Sequence, residues 1–139
     1  MFDHEKLEVY RFELRFVSWV ADLLEEVRTR AEAPSGEIRN QLDRASLSAL
    51  LNTAEGNSKR QAPLRAKYFD DARGSAIECA ACLDALVAKK LCTNDRVSPG
   101  KPMLLSIVRM LVKLSPIPIG RESSDSMVRE DVAEYVIEE

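Results

Sequence analysis

Residues 48–56, Ser-Ala-Leu-Leu-Asn-Thr-Ala-Glu-Gly, decide how the whole chain is read. Extended backwards, the stretch places Gln41, Arg44, Ser48, Asn52 and Glu55 at spacings of three and four, which stacks them on one face of a single helix. Ile38, Leu42, Ala45 and Ala49 form an apolar row beside them, with Leu47, Leu50, Leu51 and Ala54 on the other flank. A polar stripe bounded by apolar rows lies at least partly against protein. A buried amide or carboxylate without a partner costs about 1–3 kcal/mol, so these groups are expected to pair within the fold. Gly56 reads as the stop of this helix.

The 139 residues are enough for one domain that buries about two thirds of its unfolded surface. A composition 45% hydrophobic and 31% charged, with five glycines, is that of a helical soluble protein. No apolar run approaches the ~18 residues of a membrane span. The first residues, MFDHEKLEVYRFE, lack the apolar centre of a signal peptide, so the cytoplasm is the expected compartment. Residues 121–139 hold two Arg against seven Asp and Glu, a net charge of −5, which leaves +2 for residues 1–120. The division expected is a bundle over 1–120 and an acidic tail over 121–139, disordered or a short helix carrying Val128, Val132, Tyr135 and Val136.

The spacing predicts a first helix from Asp3 to about Arg30 with two adjoining apolar seams. Leu7, Tyr10, Leu14, Val17, Ala21 and Leu24 form one; Val9, Phe12, Phe16, Val20, Leu23 and Val27 form the other. Pro34, Ser35 and Gly36 break the chain, with Ser35 as a cap for the second helix. Pro63 suits the first turn of a third helix running to about Leu91. Between Ala72 and Ala88 that helix has only Arg73, Glu78 and Asp84 as charged residues, and a helix apolar nearly all round needs cover on nearly every side. A second subunit is the natural cover, so an oligomer is expected. Pro99, Gly100 and Pro102 read as an irregular or kinked connection over Thr93–Pro102, and Leu104, Ile107, Leu111 and Leu114 mark a fourth helix that ends at Ser115-Pro116-Ile117-Pro118. The fold class is all-α: an up-down-up-down four-helix bundle with an acidic C-terminal tail.

Asn52-Thr53-Ala54-Glu55-Gly56, preceded by Arg44 and Ser48, together with Arg73-Gly74-Ser75-Ala76 followed by Glu78 and Leu83, resembles the paired hallmarks of the 23S rRNA-intervening-sequence proteins, also called S23 ribosomal proteins. The likeness covers about Leu7 to Leu114. It implies a four-helix bundle that assembles into a ring-like homopentamer, encoded in bacterial genomes, with no enzyme activity attached to the family. It also implies a distant kinship of fold with a nucleic-acid-binding accessory protein of diversity-generating retroelements, from which this sequence departs in its acidic tail and modest charge.

Three features bear on function. The polar cluster of Arg44, Ser48, Asn52, Glu55, Arg73, Ser75 and Glu78 reads as a structural lock between helices rather than a catalytic centre, since an acid–base role needs a cleft and a perturbed carboxylate. Lys59, Arg60, Arg65 and Lys67 form the densest basic run, a possible nucleic-acid contact that copies of the chain would multiply around a rim. No aromatic residues interleave with it to stack bases, and the glycine of EGNSKR is not a phosphate loop. Cys79-x-x-Cys82, with Cys92 the third cysteine and His4 the only histidine, has neither a second pair nor a disulfide framework, so the cysteines are expected to pack as small hydrophobes. No catalytic residue, metal ligand or cofactor is assigned, and a hydrolase is not supported. The leading reading is a non-catalytic, oligomeric interaction scaffold; the alternative is weak RNA or DNA binding through the basic rim. In that alternative the acidic tail competes with phosphate for the rim, and deleting residues 121–139 should strengthen RNA binding at low salt in an anisotropy titration; unchanged affinity would dismiss the competition.

Overall fold

The computed structural model describes residues 1–115; residues 116–139, including the acidic stretch 121–139 and the Val128–Val136 face read above, lie outside the described residues. A 3-10 turn, Asp3–Lys6, leads into α1 (Glu8–Arg30), α2 (Gly36–Ser58), α3 (Ala62–Ala88), the single-turn α4 (Asn94–Val97) and α5 (Gly100–Leu114). The four long helices pack in cyclic order, α1 on α2, α2 on α3, α3 on α5 and α5 back on α1, which is the expected four-helix bundle. No strand occurs among the described residues.

One of the two seams on α1 supplies the core: Val9, Phe16, Val20, Leu23 and Val27 are buried. The other stays half-buried or exposed, with Leu14 45% accessible. The helix starts five residues later than its periodicity suggests. Leu7 takes extended backbone, and the preceding turn folds back so that the His4 ring packs edge-on against Tyr10, 4.7 Å between centroids. An aromatic contact of this kind offsets the backbone bonds a continuous helix would have made.

Ser35 precedes α2, but its hydroxyl does not cap the helix; it accepts a hydrogen bond from Arg39 Nε at 2.9 Å. Gly56 is not the helix stop. It is buried inside the last turn, where a Cβ would lie 2.9 Å from Tyr68 Cβ and 3.0 Å from the Phe69 ring. Glycine is needed there because α3 passes too close for any side chain.

α3 ends at Ala88 rather than Leu91. Leu91 N–H donates to Leu86 O and Lys90 N–H to Val87 O, both at 2.9 Å, while Lys90 sits at φ 60°. These two bonds with a left-handed residue between them are a Schellman closure, with Lys90 at the position glycine usually takes. The stretch read as an irregular connection contains α4, whose first turn Thr93 caps by accepting from Arg96 N–H. Pro99 then stands at the N-cap of α5, and Pro102 falls in its first turn, where backbone N–H groups have no intrahelical partner to lose. Gly100 begins this helix against the Trp19 ring, only 2.6 Å from where a Cβ would be.

Two glycine-related substitutions should therefore act in opposite directions. Lys90→Gly relieves a left-handed backbone strain of about 1–2 kcal/mol and should raise the urea midpoint. Gly100→Ala drives a methyl into Trp19 and Leu83 and should cost about 1–3 kcal/mol in the same measurement.

Candidate functional site at the α2–α3 face

The polar stripe is partly assembled by the fold. Ser75 Oγ on α3 donates to Ser48 Oγ on α2 at 2.8 Å, and Asn52 Nδ2 donates to Ser48 O and Oγ at 2.9 and 3.0 Å. These three half-buried side chains form one connected group across the helix pair. The remaining members stand around it. Arg44 is exposed and donates to Gln41 Oε1, Glu55 is exposed beside Lys59 at 3.6 Å, Glu78 is exposed, and Arg73 is half-buried with its Nε enclosed. Ser48, Asn52, Ser75 and Glu78, with Asp70, Asp71 and Gly74, line an open groove of about 400 Å³. A second groove of about 560 Å³ runs along the outer side of α2, from Gln41 and Arg44 past Leu47 and Leu51 to Glu78.

Chemically this face offers hydroxyl and amide hydrogen bonding and carboxylates, without a nucleophile–base pair. His4 does reach the neighbourhood, lining a groove with Asn52, Glu55, Ser58 and Tyr68. Ser58, which lines the same groove, donates instead to the Glu55 carbonyl at 2.6 Å. Among the described residues no cluster of three or more His, Cys, Asp or Glu is placed to hold a metal ion.

The basic run divides. Arg65 Nη1 donates to the carbonyls of Asn57 and Lys59, both at 2.9 Å, and its guanidinium lies 5.4 Å from the Phe69 ring centroid. With Ser58 Oγ on Glu55 O and Lys59 N–H on Gly56 O, it completes the closure of α2's last carbonyls. This closure is what ends α2, two residues past the glycine. Lys59 pairs with Glu55 and lies over the Tyr68 ring at 5.4 Å. Arg60 and Lys67 are the exposed members.

Cys79 and Cys82 are buried in mid-α3 and Cys92 is half-buried; burial pushes all three thiols up, so they pack as neutral groups. Cys92 lines a cavity of about 460 Å³ at the far end of the bundle, where Arg96 bonds Glu26 and Arg30 pairs with the same carboxylate at 3.2 Å.

Sequence reasoning missed Glu13. It is 1% exposed, and its Oε2 lies 2.7 Å from Thr53 Oγ1 of the motif. Burial pushes its pKa up to about 8. The signal was present, because Val9, Glu13, Phe16 and Val20 keep the spacing of the buried seam.

The sequence matches the family described as 23S rRNA-intervening sequence protein over residues 5–113. The chain belongs to that family. No curated protein matches it in sequence. A crystal structure from the S23 ribosomal protein family of Bacteroides thetaiotaomicron, described as a protein of unknown function, superposes with a TM-score of 0.71 at 16% identity, covering 78% of this chain and 99% of that one. At that identity the likeness speaks for the fold, and it agrees with the bundle described here. No helix among the described residues of this family member is long and apolar enough to cross a membrane.

Arg65→Ala should expose the end of α2 and lower stability by about 1–3 kcal/mol in chemical denaturation. Lys67→Ala, one residue pair along the same run, should stay within about 0.5 kcal/mol of the parent.

Proposed function

We propose that this protein is a non-catalytic, cytoplasmic bundle that assembles with copies of itself, a homopentamer by its family likeness, and serves as an interaction scaffold. The observation that carries this reading is Gly74. It lies in the middle of α3, exposed, and among the described residues nothing comes within 4 Å of where a Cβ would be. Glycine inside a helix costs about 1 kcal/mol relative to alanine, and nothing among the described residues offsets that cost here. A closely approaching neighbour would. Ala81 and Ala88 continue the same exposed, small-residued side of α3, and Leu51 stands 62% and Leu47 40% exposed on α2.

RNA or DNA binding by the basic run is the second reading and draws less support. Arg65 and Lys59 are engaged within the fold, which leaves Arg60 and Lys67 for phosphate.

Light scattering should return a multiple of the 15.6 kDa chain mass. Ala81→Arg should reduce that mass with helical circular dichroism unchanged, and a parent that is already monomeric would overturn the scaffold reading. RNA affinity measured by anisotropy should be weak and change little with salt; a steep fall as salt rises would favour the nucleic-acid reading instead.

A further inference from the structure

Thr53 Oγ1 lies between two oxygens, 2.7 Å from Glu13 Oε2 on α1 and 2.9 Å from the carbonyl of Ala49, one turn back on α2. Both separations are those of full two-centre O–H···O hydrogen bonds. Two such bonds among three oxygens need two hydrogens. A threonine hydroxyl brings one, a carbonyl none and an ionised carboxylate none. The second hydrogen therefore belongs to Glu13. We infer that Glu13 is held in the core as the neutral acid, its Oε2–H donating to Thr53 Oγ1 while the Thr53 hydroxyl donates to Ala49 O, so that one proton ties α1 to α2 and its release loosens that contact.

The other oxygen of the carboxyl agrees with this arrangement. Glu13 Oε1 is buried and makes no hydrogen bond among the described residues. On a neutral acid it is a spare carbonyl lone pair; on a carboxylate it would be half of a bare charge in a dry core, which is far more costly.

No neighbouring charge competes for the role. The buried positions of α2, α3 and α5 carry no Asp, Glu, Lys, Arg or His. The titratable groups they turn inward are the thiols of Cys79 and Cys82, kept neutral by burial, and the half-buried Arg73 of α3 with its Nε enclosed; the shift on Glu13 comes from burial and Thr53, with no charge among its causes. On the 3-10 turn, Lys6 pairs with Asp3, Glu5 accepts from the Phe2 N–H, and His4 packs on Tyr10. On α1 itself the flanking Arg11 and Arg15 are exposed, and Arg15 lies over the Phe12 ring.

The pH behaviour follows with a definite sign. The folded-state pKa of about 8 lies above the ordinary 4.5, so between those values the folded chain holds a proton that the unfolded chain has lost. This group's contribution is fully present below about pH 4.5, declines as pH rises towards 8, and levels off above. One proton sets the slope. The unfolding equilibrium constant should rise about tenfold per pH unit across the window, relative to a chain without the acid.

Glu13→Gln supplies that reference, because its amide N–H donates to Thr53 without titrating. At fixed protein concentration, urea melts between pH 5.5 and 7.5 should show the parent losing stability relative to Glu13→Gln by this tenfold-per-unit slope. Parallel curves would overturn the inference. The carboxyl is also followed directly in the parent chain by carbon-13 NMR of labelled glutamate, where one δ-carbon should titrate near pH 8. A full set of glutamates titrating at or below pH 5 would overturn it even where Glu13→Gln folds poorly.

Discussion

The closeness of α2 to α3 is the constraint from which most of this structure follows. Gly56 leaves no room for a Cβ against Tyr68, and the hydroxyls of Ser48 and Ser75 meet directly at 2.8 Å. Ala45 and Ala49 are buried on α2, and Ala72, Ala76 and Ala80 on α3. Small residues on both sides let the backbones approach, and only at that approach can two serines bond without longer side chains between them. The same choice sends bulk elsewhere. Leu47 and Leu51, too large for the interface, stand on the outer side of α2, where they line the long groove with Arg44 and Glu78. The polar face and the exposed leucines are thus two consequences of one packing decision.

The opposite half of the bundle is built on bulk. Phe16, Val20 and Leu23 of α1 and Leu104, Ile107 and Leu111 of α5 fill it, with large side chains in the ordinary manner of helix pairs. Its one tight point is Gly100 beneath Trp19, and the outer side of that indole is covered by Arg96, 5.5 Å from the ring. Arg96 in turn bonds Glu26, so the short α4 is fastened to α1 by a charge and a ring together. Rings and guanidinium groups act here as lids on apolar side chains that the helices alone leave partly wet.

How legible this was in the sequence depended on whether a feature has a period. The four helices, the buried seam of α1 and the Ser48–Asn52 stripe all repeat every three or four residues, and the pattern located them, though it set the start of α1 five residues early and the end of α3 three residues late. Gly56 and Pro102 were misread because their local meaning, stop and breaker, was outvoted by tertiary position. Gly56 is a contact point and Pro102 a first-turn residue. Arg65 has no periodic signature for a backbone-capping role; six to eight residues separate it from the carbonyls it closes, a distance only the turn between α2 and α3 brings together. Ser75 was paired with Ser48 through family motifs rather than spacing, since nothing in a single sequence sets the register of one helix on another.

Register is also where the buried acid matters. An apolar seam tolerates sliding, because one Val or Leu serves nearly as well as the next. Glu13 and Thr53 do not. Moving α1 along α2 by one turn, about 5.4 Å, would separate their oxygens and leave the Glu13 carboxyl in the core without a partner, while the Thr53 hydroxyl kept only its bond to the Ala49 carbonyl. The penalty applies to every register but one, and it falls on a motif residue whose neighbour Asn52 is half-buried towards α3 and whose neighbour Glu55 is exposed. Thr53 therefore fixes α2 against α1 from inside, while Ser48 fixes it against α3 at the rim. With both sides of α2 pinned by hydrogen bonds that permit a single alignment, the outer groove acquires a defined shape.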